Sequence, residues 1–396
     1  MEQKTSFKIS IIGAGIGGLT TGIALHQKGF NTEIFEAASL LKPVGAGIIL
    51  APNAMKVYKH LGLYDEILAA GNKLNDLNIT DHLLKPVMKN SLKAWENETG
   101  ISAVAVSRSN LQEILLSAFD SKRVNLNKKV KTYYSTNKKV EVKFEDSTEL
   151  YADVLIGADG INSAIRRKMF PEINLRQAGQ WCWRGVCDSK LPDEFSSGLF
   201  ELWGAGARFG FVQINSSQVY WYALTNKNII SKDLTLTALK VLFNRFHPVV
   251  SKLLAQTEGG SVIHGAIQDI RPLNTWFNNN VCLIGDAAHP TTPNLGQGAC
   301  QAIEDAYLLA EMFASENSVP ECFAKFNALR KTKAEFVVNA SWRLGKMAQL
   351  NSPLLCNVRN FMLRLMPSSA NDKTNKMVYT VDYTEHGKRR RAMDEI

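Results

Sequence analysis

The spacing of apolar residues near the start of the chain predicts a strand, a helix and a second strand in close succession. An apolar run over residues 7–12 leads into Gly13-Ala14-Gly15-Ile16-Gly17-Gly18, and helical periodicity then continues through Leu25. Residues 32–35 predict the next strand, which ends at Glu36. Glycines at positions 13, 15 and 18 permit a tight turn and a close backbone approach to a pyrophosphate, and Glu36 can hold ribose hydroxyls. This βαβ unit therefore predicts dinucleotide binding.

A second glycine-rich turn is predicted far along the chain. Residues 281–284 form a short apolar run that ends at Gly285-Asp286, and Gly296-Gln297-Gly298 then opens a helix with apolar spacing from Ala299. Backbone amides at such a helix start suit an anion or a ring that gains negative charge. Asp286 can accept a hydrogen bond from a ribityl or ribose hydroxyl. An ordinary α/β loop would have the same pattern, but the first glycine-rich turn argues against that alternative.

The residues between the two turns predict alternating helix and strand. A helix is predicted from Ser109 or Asn110, either of which could be its N-cap, and Arg108 just before it is a surface residue or a cofactor contact. The loop at 42–47 is predicted to form a wall of the dinucleotide groove. Residues 124–156 predict a β-meander that leads into Gly157-Ala158-Asp159-Gly160, where Asp159 has the chemistry of a turn residue and N-cap.

Residues 179–272 predict a second, largely antiparallel sheet, in which residues 204–206 form a hairpin tip. Its aromatic residues could line a pocket or fill a core: Trp181, Trp183, Trp221 and Tyr222. Helices are predicted over 299–315, 319–349 and 353–366. The last is amphipathic and basic, which fits membrane-surface contact or, as the preferred interpretation, a cover on the first domain. Residues 384–396 are predicted to be frayed.

Composition and charge exclude several classes of protein. The chain is 45% apolar and 21% charged, as expected of a soluble globular protein, and its apolar runs are too short to span a membrane. The net charge of +9 is spread along the chain except at 388–391, and no nucleic-acid module is visible. Six cysteines without C-x-x-C spacing, and no signal peptide, favour a cytoplasmic location. We expect a monomer or homodimer without membrane contact.

Three motifs in a fixed order carry a resemblance over nearly the whole chain. They are the glycine turn with Glu36, Gly157-Ala158-Asp159-Gly160 with Arg166, and the stretch from Gly285-Asp286 to Gly298. The chain resembles the single-component flavin-dependent aromatic hydroxylases, typified by para-hydroxybenzoate and salicylate hydroxylases, with a pattern most like the urate hydroxylase and zeaxanthin epoxidase branch. The resemblance implies an α/β fold: a Rossmann-like, glutathione-reductase-like FAD-binding domain, a mainly antiparallel substrate domain and C-terminal helices.

The resemblance also implies a division of the chain and a set of site residues. The FAD-binding domain would comprise 1–73, 107–176 and 273–318, with a partial excursion into the substrate domain at 74–106, the substrate-binding sheet at 177–272 and a helical segment at 319–396. The implied FAD contacts are Gly13, Gly15, Gly17, Gly18, Glu36, Ala37, Arg108, Asp159, Asp286, Gly296, Gln297, Gly298, Ala299 and Cys300. By the same resemblance Arg208 and Tyr220 would meet the substrate and Pro293 would shape the oxygen pocket. Cys182 stands where urate hydroxylases have an asparagine, which argues against urate because a thiol cannot replace an amide.

The implied function is a monooxygenase that uses FAD, NAD(P)H and O₂. A hydroperoxyflavin would hydroxylate or epoxidise a small aromatic or unsaturated substrate, and the Asp159 segment would serve both FAD and the nicotinamide cofactor. Two alternatives remain open: a flavin-dependent reductase or dehydrogenase on the same fold, and a flavin-binding protein without turnover. The sequence shows no Ser/His/Asp triad and no metal-ligand cluster, and His289 fits a structural role better than that of a general base.

Overall fold

The computed structural model describes residues 7–41, 46–136, 138–227, 235–367 and 369–381. Most of the loop predicted to wall the groove (42–45) and the tail predicted to be frayed (384–396) lie outside these residues. Among the described residues, no helix combines the length and the apolar character needed to cross a bilayer.

A six-stranded sheet carries the predicted βαβ unit. Its strands, in spatial order, are β18 (Phe277–Asn278), β19 (Val281–Leu283), β12 (Val154–Gly157), β1 (Lys8–Ile12), β2 (Asn31–Phe35) and β8 (Val124–Asn125). All neighbours are parallel except β18 and β19. Apolar side chains on β1, β12 and β19 are fully buried, as expected when a parallel sheet is covered on both faces. The carboxyl ends of these three strands lead directly into the three sequence motifs.

A seven-stranded sheet forms the second layer of the molecule. Its spatial order is β17 (Ile263–Asp269), β13 (Arg176–Asp188), β16 (Gln218–Asn226), β15 (Ala207–Gln213), β14 (Gly198–Trp203), β5 (Asp76–Asp81) and β6 (Pro86–Ser91). It is antiparallel except where β14 pairs with β5. The hairpin tip predicted at 204–206 is confirmed, because the Gly204 N–H donates to the Ala207 carbonyl at 2.9 Å.

Two small antiparallel sheets complete the strands. One contains β3 (Gly47–Leu50), β7 (Ala103–Ser107) and β4 (Asn72–Leu74), and the other is a meander of β9 (Val130–Ser135), β10 (Val140–Phe144) and β11 (Glu149–Ala152). The predicted meander is therefore correct for residues 130–152, whereas residues 154–156, also placed in it, belong to the parallel strand β12 of the central sheet. Its first strand was placed wrongly, because Val124 and Asn125 pair in parallel with Ile34 and Phe35 at the edge of the central sheet.

Thirteen helices lie in the described residues, and the long C-terminal ones match the predicted ranges closely. They are α1 (Ile16–Gln27), α2 (Pro52–His60), α3 (Tyr64–Ala70), α4 (Leu92–Thr99), α5 (Arg108–Ala118), α6 (Ala164–Met169), α7 (Asp193–Ser196), α8 (Leu236–Leu242), α9 (Pro248–Ala255), α10 (Gly298–Ser315), α11 (Val319–Ala348), α12 (Pro353–Arg364) and α13 (Ser369–Tyr379).

Two sequence expectations about helices are wrong. The N-cap of α5 is Ser107, whose hydroxyl accepts a hydrogen bond from the Asn110 N–H, so the helix follows β7 without a loop and Arg108 is its first residue. Helix α12 does not cover the first domain. It packs on β6 of the seven-stranded sheet, where Leu363 joins a small cluster with Val87 and Trp203.

Candidate active site

The fold brings the three sequence motifs into one cleft. Gly13 has φ +107°, and a Cβ there would lie 2.5 Å from the carbonyl oxygen of Ala158, so the first and second motifs are in close contact. Arg166 joins the second motif to the third, because its Nη1 donates to the carbonyl oxygens of Asp286 at 3.1 Å and Ala287 at 3.0 Å. Turns that lie far apart in the sequence therefore share one edge of the central sheet.

The first turn has the geometry that a pyrophosphate requires. A Cβ at Gly18 would lie 1.9 Å from the Gly13 carbonyl oxygen, whereas a Cβ at Gly15 meets no described atom within 4 Å, so open space lies in front of the turn. No described side chain caps the start of α1, whose amides are left available to an anion. Glu36 accepts a hydrogen bond from the Ala14 N–H at 2.7 Å, which holds the carboxylate beside the turn.

The start of α10 faces the same cleft. Gln297 is its N-cap and provides no side-chain cap, and the preceding Gly296 has φ +62°. A Cβ at Gly17 or Gly285 would lie 3.2 or 2.8 Å from the Cβ of Ala302. Small residues therefore let α10 begin against both α1 and the turn after β19, so the positive end of its dipole points into the cleft.

Several polar groups at the cleft have no described protein partner. The side chain of Asp286 is exposed to the cleft and accepts no hydrogen bond from a described residue. Desolvation by the surrounding protein raises its pKa. Asp159 uses Oδ2 to accept from the Ala164 N–H at 2.7 Å, but its buried Oδ1 has no described partner. The exposed guanidinium of Arg108 also faces the cleft without a described partner. The buried Oδ1 of Asp159 needs a polar partner, and the cleft-facing groups of Asp286 and Arg108 can contact the hydroxyls and phosphates of FAD.

A buried ionic network holds the turn after β19 in place. Arg330 donates to Asp305 at 2.7 Å and to Glu304 at 2.8 Å, and all three side chains are fully buried. Asp305 also contacts His289 Nε2 at 2.6 Å and accepts from the Gly285 N–H at 2.8 Å. Burial alone would raise the pKa of Asp305, but His289 and Arg330 outweigh burial and lower the pKa to about 2. His289 is thus part of the support for the turn, in agreement with its expected structural role.

One face of the seven-stranded sheet lines a cavity of about 590 Å³ that reaches the start of α10. Side chains alternate between the two faces of a strand. Tyr220 and Tyr222 on β16 face the cavity, whereas Trp221 between them lies in the opposite core together with Trp183. Trp181 is half-buried and packs beside that core. Of the aromatic residues that could have lined a pocket or a core, only Tyr222 lines the cavity.

Arg208 lies in the cavity wall with every arm of its guanidinium engaged. It donates to Gln349 at 2.7 Å, to Glu201 at 2.9 Å and to Asn294 at 2.6 Å. Tyr222 donates its hydroxyl to the other oxygen of Glu201 at 2.7 Å. The positive charge of Arg208 is therefore matched by a carboxylate before any ligand enters.

The remaining predicted residues divide into two groups. Three of them line the cavity: Tyr220, Pro293 and Ala299. Burial raises the pKa of Tyr220 to about 12, so its hydroxyl stays protonated at neutral pH. Two others turn their side chains away: the Gln297 amide oxygen accepts from Asn53 at 3.0 Å, and the Cys300 thiol contacts the Ile49 carbonyl at 3.8 Å. Ala37 is exposed just after β2. Gln297 and Cys300 can thus meet a cofactor only through their backbone.

Three further residues line the cavity and were not predicted from the sequence: Arg184, Glu201 and Asn294. Arg184 could have been identified from the alternation of side chains between the two faces of a strand. Arg184 has the same parity on β13 as the predicted Cys182, and it pairs with Tyr222 across the strands. Glu201 and Asn294 had no such signal, because they reach Arg208 from other elements.

Comparisons with known proteins agree with this geometry. A family model described as FAD binding domain matches residues 6–341. The aurachin C monooxygenase/isomerase of Stigmatella aurantiaca is 34% identical over 93% of this chain and 97% of that protein. The 2-heptyl-3-hydroxy-4(1H)-quinolone synthase of Pseudomonas aeruginosa is 30% identical over 94% of this chain and 97% of its own length.

A solved structure shares the whole fold. The Klebsiella pneumoniae protein HpxO, complexed with FAD and uric acid, superposes with a TM-score of 0.86 at 26% identity, covering 94% of this chain and 97% of that one. The match spans both the glycine-rich cleft and the seven-stranded sheet. The chain therefore belongs to the FAD-dependent aromatic hydroxylase family and is an FAD-dependent monooxygenase.

Proposed function

We propose that this enzyme hydroxylates a neutral, flat heteroaromatic compound that carries an apolar tail, with NAD(P)H as the reductant and O₂ as the oxidant. One oxygen atom enters a ring C–H bond, the other leaves as water, and NAD(P)H supplies the two electrons. The Pseudomonas relative is named for a quinolone with a heptyl chain, and an alkylated 4(1H)-quinolone is the class that fits the cavity of this chain best.

The observation that carries this proposal is that the cavity wall combines a polar cluster with apolar side chains. The polar cluster, here called the polar end, is Arg208 with Asn294, Glu201 and Tyr222. The apolar side chains, here called the apolar end, come from β5 and β6 of the seven-stranded sheet and from the C-terminal helices: Leu77, Met88, Leu363 and Met366. A ring with polar substituents suits the first end, and a hydrocarbon chain suits the second.

The charge balance of the polar end favours a neutral ring. Because Glu201 lies 2.9 Å from Arg208, an anionic substrate would meet a guanidinium that is already neutralised. A ring carbonyl needs only a donor, and Tyr220 retains its proton at neutral pH. Cys182, also in the wall, offers no paired donor and acceptor of the kind an amide would give to urate.

The protein's part in catalysis is to hold, orient and exclude water. FAD, when bound, accepts electrons from the nicotinamide cofactor and activates O₂. The positive end of α10 and the guanidinium of Arg108 would stabilise negative charge on the flavin ring, and Asp286 would accept a hydrogen bond from its ribityl chain. Pro293 and the following turn line the cavity and would help to keep water from the reacting ring.

The test uses the purified flavoprotein with NADPH or NADH and a series of 4(1H)-quinolones that carry no tail, a heptyl tail or a longer tail. Urate and salicylate serve as comparison substrates. We expect the alkylated quinolones to accelerate flavin reduction under anaerobic conditions. Isotopically labelled O₂ should then place one labelled atom in the product. Oxygen uptake that yields only hydrogen peroxide with every compound would instead support the reductase, and no reduction at all would support a binding protein.

A cavity-filling variant tests the position of the tail. Met88→Trp fills the apolar end, so the KM for the heptyl compound should rise about tenfold while the tail-free quinolone is little affected. Leu83→Trp, on an exposed site just before the same strand, is the matched control and should change neither value. Equal effects of Met88→Trp on both compounds would refute the assignment of the tail to this end.

A further inference from the structure

Helix α12 has its apolar face turned away from the protein. Six large apolar side chains on this face and at its end are 48% to 71% exposed: Leu354, Leu355, Val358, Phe361, Met362 and Leu365. The buried face includes Arg359, whose guanidinium lies 4.7 Å from the ring of Trp203 and donates to the Ala348 carbonyl at 2.9 Å. The helix is thus anchored through a polar residue, and its amphipathic pattern is inverted relative to a helix that covers a core.

The exposed positions form a single stripe. They recur at intervals of three and four residues, which places them along one side of the helix. Of the fifteen large apolar side chains exposed in the described part of the chain, nine lie between Met347 and Met377. Monomeric proteins rarely leave such a contiguous apolar patch uncovered, and a patch of this kind marks a binding surface.

The charges around this face have one dominant sign. Between residues 336 and 381 the only acidic residue is Asp372, against five basic residues besides the buried Arg359: Arg343, Lys346, Arg364, Lys373 and Lys376. A basic surrounding with an apolar stripe complements a surface that is anionic outside and apolar beneath. A second copy of the chain would bring two basic faces together, which disfavours that occupant.

The stripe is continuous with the cavity of the active site. Leu363 on the inner side of α12 and Met366 just after the helix both line the apolar end of that cavity, and so does Met347 at the end of α11. Met366 and Met347 are also partly exposed, at 46% and 37%. Apolar side chains of α12 and of its neighbours therefore lie both in the cavity wall and on the outer surface beside the stripe.

We propose that α12 is an interfacial helix, which seats this enzyme on the surface of an anionic phospholipid bilayer. The stripe of α12 enters the boundary between headgroups and acyl chains, and the basic residues beside it face anionic headgroups. The helix lies on the bilayer rather than crossing it. The cavity then opens towards the lipid phase, where a compound with a long apolar tail partitions, and this part rests on the function proposed above.

Flotation of the holoenzyme with vesicles tests the surface assignment. We expect binding to phosphatidylcholine vesicles that contain phosphatidylglycerol, weaker binding to phosphatidylcholine alone, and weakening at high salt. The triple variant Leu354→Ser, Phe361→Ser, Met362→Ser should lose about tenfold or more in vesicle affinity, with its FAD content unchanged. The double variant Leu40→Ser, Val241→Ser, at equally exposed apolar sites elsewhere, is the control and should bind like the wild type.

Two results would overturn this assignment. One is that the wild type fails to float or that the triple variant floats equally well. The other is a wild-type dimer in sedimentation velocity that dissociates in the triple variant without vesicle binding, which would assign the stripe to a second copy. Turnover of an alkylquinolone supplied in vesicles is a separate measurement. If the enzyme floats but hydroxylates no quinolone, the substrate proposal fails and the surface proposal stands.

Discussion

Replacing Arg330 with methionine tests the buried ionic network that holds the turn after β19 in place. The substitution keeps much of the side-chain volume and removes a guanidinium that contacts Asp305 and Glu304 at 2.7 and 2.8 Å. Both carboxylates stay fully buried, and each keeps one other basic partner besides neutral hydrogen-bond donors. Lys333 lies 2.8 Å from Glu304, and His289 lies 2.6 Å from Asp305.

The variant should lose free energy of unfolding, because two buried carboxylates lose one of their basic partners. Breaking a buried pair by removing one partner costs about 3–5 kcal/mol, and the remaining contacts of Lys333 and His289 place this case at the lower end. A loss of about 3 kcal/mol lowers the melting temperature of a chain of this length by about 4 °C. Lys331→Met on the same helix is the control, since Lys331 pairs with Glu335 at 3.5 Å in a partly exposed site and should cost about 0.5 kcal/mol or less.

The pH dependence of the difference in unfolding free energy between wild type and variant is a more specific test of the network. In the wild type the pKa of Asp305 falls from its ordinary value of 3.8 to about 2, so its contribution to stability is present above pH 3.8 and is lost as the pH falls towards 2. Without Arg330 the folded-state pKa of Asp305 rises, and the folded variant takes up a proton at higher pH than the wild type does. A loss of about 3 kcal/mol corresponds to a rise of about two pKa units, so the deficit of the variant should shrink as the pH falls from about 4 towards 2.

Urea unfolding followed by far-ultraviolet circular dichroism, at saturating FAD and at several pH values, measures both effects. The m value should stay constant, so the shift in midpoint reports stability. A loss below 1 kcal/mol, or a deficit that is the same at pH 7 and at about pH 3, would refute the assignment of the network as a buried charge cluster.

Three further substitutions address the cofactor and the substrate wall. Gly18→Ala puts a methyl group 1.9 Å from a carbonyl oxygen of its own turn, so FAD should be lost on gel filtration, while Gly259→Ala, with open space around it, should retain FAD. Asp286→Ala should weaken FAD binding about ten- to a hundredfold in a fluorescence titration, and an unchanged affinity would exclude it as a contact. Gly210→Ala would set a methyl group 2.1 Å from the ring of Tyr222, so the substrate KM should rise while FAD affinity stays the same; an unchanged KM would contradict the role of that ring.

The sequence was sufficient where structure depends on local spacing. The glycine turn before α1 and the start of α10 were predictable, because only glycine tolerates the close approaches at Gly18 and the positive φ at Gly13 and Gly296. Periodicity also predicted the long helices to within about two residues. The N-cap of α5 was misplaced because Ser107, Ser109 and Asn110 can each cap a helix, and the end of β7 decides which of them does.

What could not be predicted depends on partners far away in the chain. Val124 pairs with β2 rather than with the meander, and no local pattern distinguishes the two sheets. The amphipathic pattern of α12 was visible, but the side that faces the protein is set by the contact of Arg359 with Trp203 and with the end of α11. For the same reason Glu201 and Asn294 were missed, since they matter only through Arg208.

The network around Arg330 also limits when the enzyme can bind FAD during its synthesis. Glu36 and the first glycine turn leave the ribosome early, whereas the side chain that holds Glu304 and Asp305 belongs to residue 330. At translation rates of about 5–20 residues per second, roughly 15–60 s separate the two events. During that interval the nascent chain has half of a nucleotide cleft and an unsupported opposite wall. Flavin capture is therefore a late step, and a ribosome that stalls before Arg330 leaves a product without cofactor.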